Sequence, residues 1–206
     1  DVAPSRGLGD VYKRQLQYRL GQMLHTGTGT ERDEKAAAEY WEKAARLGNV
    51  HAQYSLAKLW IETNTGDISK ALQWLTKAAD GGHAMAQYTL GKYYRDGTHV
   101  DKSMDQAVRL FLLSAEQNNA YAAYQLGKLY LAGEGIPKDV EMAVKWLKCS
   151  AEQRNVYAQY ALGKLYLCGE DVTQDIEKAL DYLKASANQN HEYASYQLGK
   201  LYLNGE

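Results

Sequence analysis

The sequence is poor in proline. Pro4 and Pro137 are the only two in 206 residues, so little in it interrupts long helices. Cysteine is equally scarce. Cys149 and Cys168 stand alone, which excludes a disulfide framework and points to two reduced, small side chains in a protein of cytoplasmic type. Charge of one sign is missing as well: 24 Lys and Arg face 25 Asp and Glu, for a net charge of −1. Bulk charge therefore gives no sign of a nucleic-acid or membrane-surface partner. No apolar run approaches the ~18 residues of a membrane span. No signal peptide is visible, although a chain that begins at Asp1 is compatible with a removed leader or a larger parent protein.

What is abundant is tyrosine, with 17 copies against a single phenylalanine. A repeat explains that bias. The fragment Tyr-x-Leu-Gly-Lys recurs with its leucine at Leu20, Leu56, Leu90, Leu126, Leu162 and Leu198. The steps are 36, 34, 36, 36 and 36 residues. Tyr18, Tyr54, Tyr88, Tyr124, Tyr160 and Tyr196 keep the register, as do Gly21, Ala57, Gly91, Gly127, Gly163 and Gly199. The two residues missing from one step fall between Trp60 and Gly66, in a loop, where deletions are tolerated.

Each unit contains two helix patterns. In the first, Ala122, Leu126, Leu129 and Tyr130 fall at i, i+4, i+7 and i+8, one stripe of a helix. A recurring mid-helix glycine costs about 1 kcal/mol, so its presence points to close helix packing. This helix is expected to stop at Gly27, Gly97, Gly133, Gly169 and Gly205. The second helix starts at Asp33, Asp67, Ser103, Asp139 and Asp175, all strong N-cap types. It carries Ala37, Ala71, Ala107, Ala143 and Ala179, then a bulky column of Tyr40, Trp74, Leu110, Trp146 and Tyr182, then a small pair such as Ala44-Ala45 or Ser150-Ala151. It closes at Gly48, Gly82, Asn118, Arg154 and Asn190. Arg154 is the one member ill suited to a positive φ. A single hairpin of this kind cannot bury both faces, but a stack can. The tyrosines are expected to pack between hairpins, with hydroxyls at a polar rim.

Together these columns resemble the Sel-one-like repeat, a relative of the tetratricopeptide repeat. The fourth unit carries the pattern most fully, in Ala122, Tyr124, Leu126, Gly127, Leu129, Tyr130, Gly133, Gly135, Asp139, Ala143, Trp146, Ser150 and Ala151. The resemblance covers 16–206, as units 16–49, 50–82, 83–118, 119–154 and 155–190 and a half unit 191–206. It implies an all-α fold, an α/α superhelix built as a right-handed solenoid of antiparallel helix pairs. It also implies a protein–protein interaction scaffold or adaptor, of the kind found in signalling, protein quality control and bacterial contact with hosts. The unit at 50–82 departs most, with its short loop and Ala57 in place of glycine.

The two ends do not fit the repeat. Residues 1–15 carry no repeat column and are expected to be a disordered or non-native leader. At the other end Ala194, Leu198, Leu201 and Tyr202 form an apolar stripe with no second helix after it. That suggests a fragment of a longer protein, or a monomer capable of end-to-end association through this helix. A mobilisation-related parent with such an array, in which the repeats act as a spacer, is one form the resemblance allows.

Fixed columns build the stack, so binding is expected in exposed columns that vary. Three first-helix positions lie away from the core stripe. By unit they read His51, Ser55 and Lys58; Met85, Thr89 and Lys92; Tyr121, Gln125 and Lys128; Tyr157, Ala161 and Lys164; and Tyr193, Gln197 and Lys200. In stacks of this kind the first helices line the concave face. The expectation is a row of lysines flanked by tyrosines that holds a peptide or protein partner, its carboxylates facing the lysines. A solvated polar face is the plain alternative, and a track for a nucleic-acid backbone is a third.

Chemistry of other kinds finds no support. The Gly-x-Gly at 27–29 and 133–135 belongs to a hairpin turn, not to a phosphate loop. His25, His51, His83, His99 and His191 lack metal-ligand spacing, and those near unit junctions suit capping or surface roles. Glu134 and Glu170 occupy equivalent loop positions one repeat apart and need not converge on a substrate. Disulfide-rich relatives with a cysteine pair per repeat have been linked to penicillin binding and a β-lactamase-like activity, but those pairs are missing here. No catalytic residue, cofactor or metal is expected.

Overall fold

The computed structural model describes residues 3–203, so the expected helix stop at Gly205 lies outside the described residues. These residues form eleven helices and no strand. They divide into two compact units, 1–102 and 103–206. The first unit holds α1 (Ala3–Thr26), α2 (Glu34–Arg46), α3 (Val50–Thr63), α4 (Ile68–Asp80) and α5 (Ala84–Asp96). The second holds α6 (Met104–Ala115), α7 (Ala120–Ala132), α8 (Val140–Glu152), α9 (Val156–Cys168), α10 (Ile176–Ala187) and α11 (Glu192–Leu203). Within each unit every helix packs on the next, first as the two arms of a hairpin and then as the seam between hairpins. Each unit is thus a short solenoid of helix pairs.

The start signals of the second helices are borne out at every position. The side chains of Asp33, Asp67, Ser103, Asp139 and Asp175 each accept a backbone N–H from the first turn that follows. That satisfies donors no intrahelical carbonyl can reach. The first helices have caps of their own, and the sequence pattern points to the histidines among them but not to the asparagines. Asn49, Asn119 and Asn155 accept from Ala52, Ala122 and Ala158 at 2.9, 3.3 and 3.1 Å. In the same column, the Nδ1 atoms of His83 and His191 accept from Ala86 and Ala194 at 3.2 and 3.3 Å.

The helix stops are left-handed where expected. Gly97, Gly133 and Gly169 have φ of 70, 69 and 69°. In the shortened loop Asn64 takes that role at φ 51°, and Gly66 lies so tightly against the Trp60 indole that a side chain has no room there. The closing column Gly48, Gly82, Asn118, Arg154 and Asn190 is left-handed throughout, and Arg154 sits at φ 62° despite its side chain.

The core column of the second helices lies one residue later than the bulky column read from the sequence. Trp41, Leu75, Phe111, Leu147 and Leu183 are buried, whereas Tyr40, Trp74, Trp146 and Tyr182 are only partly covered. The reason is helical phase. The alanine column and the small pair fix the inward direction, and positions 4, 7 and 8 after Ala143 fall on that side. The half-buried rings lie at the flank, where lysine ammoniums cover some of them: Lys77 lies 4.6 Å from the Trp74 ring centre and Lys43 5.0 Å from that of Tyr40.

Close packing explains the glycines. A β-carbon at Gly127 would stand 2.6 Å from Leu147, and one at Gly163 2.7 Å from Leu183. Buried polar groups pin both kinds of helix contact: serines tie the two arms of one hairpin, and glutamines tie a hairpin to the one before it. Ser150 donates to the Ala120 carbonyl at 2.6 Å and Ser186 to the Val156 carbonyl at 3.0 Å. Gln53, Gln87 and Gln159 each reach back eight residues to a carbonyl of the preceding helix, at 3.2, 3.1 and 3.3 Å.

The ends differ from expectation. Residues 3–15, expected to be disordered, continue α1 as helix. At the last helix, Ala194, Leu198 and Leu201 are not bare, because α10 covers them in a cluster with Leu183. Only Tyr202 of the expected stripe is open, at 57% exposure against 9% for Tyr166 in the same column.

Candidate protein-interaction face

The fifteen stripe positions sit on the odd-numbered helices α3, α5, α7, α9 and α11. None is buried. Tyr121, Tyr157 and Tyr193 stand out, with 53, 52 and 69% of their surface exposed. A large, rigid side chain with a hydroxyl tip is of the type enriched at the centres of protein interfaces.

In the first unit the stripe gathers imidazoles. The His51 ring meets the His83 ring edge-on at 4.8 Å, Tyr18 stacks on His51 at 5.8 Å, and Tyr54 stacks on His83 at 4.6 Å. Burial, then the nearby His51, push the His83 pKa down to about 4, against a smaller opposing effect of a backbone hydrogen bond. A neutral ring also suits its cap, because Nδ1 needs its lone pair to accept the Ala86 N–H. Lys58 has an acid one helical turn on, Glu62, at 3.8 Å. Lys92 likewise has Asp96 four residues on. The Asp96 carboxyl is held below its usual range first by a hydrogen bond from Arg95, with Lys92 adding a weaker pull.

In the second unit the same stripe gathers tyrosines and lysines, with Lys128 Nζ 5.8 Å from the Tyr124 ring centre. Tyr157 lies between Tyr124 and His191, at 6.0 and 5.7 Å, and Tyr193 lies 6.4 Å from Tyr160. Burial, and next to it Tyr157, raise the Tyr124 pKa. The positions four residues beyond Lys128 and Lys164 are Ala132 and Cys168. Among the described residues neither lysine has a carboxylate within ion-pair range.

A cleft of about 340 Å3 opens between α7 and α9. Lys128 and Lys164 are on its wall, with Tyr124, Tyr160, Leu131 and Leu165 supplying apolar surface. The stripe thus contributes Lys128, Ala161 and Lys164 to one concavity, while Tyr121, Gln125, Tyr157, Tyr193, Gln197 and Lys200 lie outside it. Tyr124 and Tyr160 had been read as packing residues alone. They do touch rings of the next hairpin, and their other face lines the cleft. In the first unit a smaller concavity of about 240 Å3 includes Ser55 and Lys58, with Glu62 beside the lysine. His51, Met85, Thr89 and Lys92 lie outside it. No group of three or more His, Cys, Asp or Glu among the described residues could hold a metal ion. None of their helices is long and apolar enough to cross a membrane.

This arrangement of capped hairpins, small-residue seams and a variable outer stripe matches a family model, the Sel1 repeat, at 15–49, 50–83, 84–119, 120–155, 156–191 and 192–206. The chain belongs to the Sel1 repeat family. Sel1 repeat proteins are in general protein-interaction scaffolds, and their all-helical fold is typically non-enzymatic. Against curated proteins the sequence finds no match. Among solved structures it is similar to a Sel1 repeat protein from Oxalobacter formigenes, at 32% identity and a TM-score of 0.86, over 95% of this chain and 81% of that one. It is also similar to a protective antigen of uropathogenic Escherichia coli with an SLR fold, at 28% identity and a TM-score of 0.86. That match covers 93% of this chain and 42% of the antigen, so the chain spans less than half the antigen's length. A Pseudomonas aeruginosa immunity protein shares the fold, at 24% identity and a TM-score of 0.56, over 89% of this chain and 68% of its own.

Proposed function

We propose that this Sel1 repeat array is an adaptor that holds a protein or peptide partner against the exposed face of its first helices. The observation that carries the reading is the trio Tyr121, Tyr157 and Tyr193, each more than half exposed and each one repeat from the next on α7, α9 and α11. Tyrosine offers contact area at a low cost in side-chain entropy, and exposed aromatic side chains beside spaced charge are the usual composition of an interface centre. The Ala122, Leu126 and Leu129 stripe already fills the seam behind Tyr121.

The test compares the wild-type chain with a variant carrying Tyr121→Ala, Tyr157→Ala and Lys128→Ala. All three side chains are exposed, so circular dichroism and the thermal midpoint should hold. Affinity capture from cells of the source organism, read by mass spectrometry, should then yield a set of proteins with the wild type that the variant fails to retain. An identical set with both would refute the face.

A further inference from the structure

We propose that the cleft between α7 and α9 is an anchor pocket for one apolar side chain of a partner peptide that carries carboxylates beside it. The proposal rests on the adaptor reading and adds the site and the chemistry of the bound segment. Three observations support it. The first is shape. About 340 Å3 lies at the lower end of ligand-holding cavities. It is room for one side chain and its backbone, not for a helix.

The second is the wall. Tyr124, Leu131, Tyr160 and Leu165 give the cleft an apolar lining that the fold leaves open. Tyr124 and Tyr160 are held in place by ring contacts with the next hairpin, Tyr124 to Tyr157 at 6.0 Å and Tyr160 to Tyr193 at 6.4 Å. The lining is therefore preformed, and little ordering cost remains on the protein's side.

The third is charge, and it comes from a comparison of columns. On α3 and α5 the stripe lysines Lys58 and Lys92 each have an acid four residues on, Glu62 and Asp96. On α7 and α9 the same step reaches Ala132 and Cys168. Lys128 and Lys164 thus border an apolar cleft with no carboxylate in ion-pair range among the described residues, Lys128 meeting only the Tyr124 ring at 5.8 Å. The acids of that lining, Glu170 and Asp171, belong to the loop after α9, and Asp171 is already engaged by Lys138 at 2.6 Å. A carboxylate flanking the anchored side chain completes both lysines, and the low local dielectric strengthens the pairing.

The cleft carries its own reporter. Cys168 is exposed on its wall, and Cys149 is a second free thiol on α8, outside it. The experiment follows iodoacetamide labelling of both thiols in the wild-type chain by peptide mass spectrometry. The probe is an acetylated, amidated hexapeptide, Gly-Glu-Phe-Asp-Glu-Gly, at about 1 mM, where fivefold protection corresponds to a Kd of about 0.25 mM, or about −5 kcal/mol. The expected result is labelling of Cys168 slowed at least about fivefold, near 1 kcal/mol of occupancy, with Cys149 unchanged. The protection should vanish with Lys128→Ala and Lys164→Ala together. It should vanish also with Ala132→Glu, which installs the acid that α3 carries, and with a probe whose acids are replaced by glutamine and asparagine. Equal protection by the neutral probe, or none by either, overturns the pocket. Amide chemical shifts recorded on the same samples separate the two proposals. Shifts confined to Tyr121, Tyr157 and Tyr193 without thiol protection sink the pocket and leave the adaptor reading standing.

Discussion

The two units share one scaffold and differ in what they display. In the first, the exposed stripe holds His51, with the cap His83 against it, and two lysines with an acid four residues on, Glu62 near Lys58 and Asp96 held by Arg95. In the second, it holds three tyrosines and lysines whose acids are gone. The junctions differ as well. The first unit closes its second helices with Gly48 and Gly82, the second with Asn118, Arg154 and Asn190. The seam residues are Ala44 and Ala78 in one unit and Ser150 and Ser186 in the other. Positions that face inward stay small or apolar in every repeat, although their volume ranges from Trp41 to Leu183. Positions that face outward, or bear only on a cap, drift in chemistry, and that drift separates lysines with an acid four residues on from lysines without one.

The contrast can be tested by exchanging features between units. The largest effect is expected at the helix-crossing column. The first unit tolerates Ala57 there, whereas a β-carbon at Gly127 meets Leu147 at 2.6 Å and the Ala143 carbonyl at 3.3 Å. Gly127→Ala should cost about 2 kcal/mol through overpacking, despite the better helix propensity of alanine. Urea unfolding should show the midpoint fall. An unchanged midpoint would mean that α8 retreats freely and that the seam is looser than its distances imply.

Next comes the cap. Burial holds the His83 pKa near 4 in the folded chain, below the usual 6.5. The unfolded chain therefore takes up the proton first as pH falls. The stabilisation by His83 is complete above about pH 6.5 and is lost progressively down to about pH 4. The half-exposed ring is partly screened, so the loss should be roughly 1–2 kcal/mol rather than the full shift. His83→Asn installs the cap that the second unit uses at Asn119 and Asn155. It should flatten the pH dependence of the thermal midpoint between pH 6.5 and 4 while leaving the midpoint at pH 7.5 nearly unchanged.

A gain is expected at Arg154. Its φ of 62° costs a side chain bearing a β-carbon about 1 kcal/mol. Arg154→Gly, which copies Gly82, should stabilise the chain by about that amount, and Gly82→Arg should do the reverse. The smallest effect is expected at the seam serine. Ser150→Ala copies Ala78 and removes the bond to the Ala120 carbonyl, for a loss of about 0.5–1 kcal/mol by differential scanning calorimetry.

The fold was legible because its signals are redundant. The N-cap aspartates open the second helix, the positive-φ residues close each helix and the small pairs mark its packed end, each once per repeat. Two errors came from reading columns singly. The tryptophans at 74 and 146 drew attention to the flank, although the neighbouring run Trp41, Leu75, Phe111, Leu147 and Leu183 kept the same step and filled the core. The caps at Asn49, Asn119 and Asn155 went unnoticed because a left-handed Gly, Asn or Arg directly precedes each one. The exposed stripe was legible from phase alone. The cleft was not, because Tyr124 and Tyr160 serve two surfaces at once, and a sequence pattern assigns a residue to only one. The missing acids at Ala132 and Cys168 could have been read from the sequence by carrying the i,i+4 charge rule across units.

The bonds of Ser150 and Ser186 join the two arms of one hairpin, 30 positions apart, and the glutamine bonds join a hairpin to the one before it, eight positions back. None of these five ties reaches beyond the adjoining hairpin. Under tension such wiring yields in series. A chain drawn out by its two ends in a force spectrometer should release its length in hairpin-sized increments instead of a single rupture. A whole hairpin could be spliced in or out with little disturbance to its more distant neighbours.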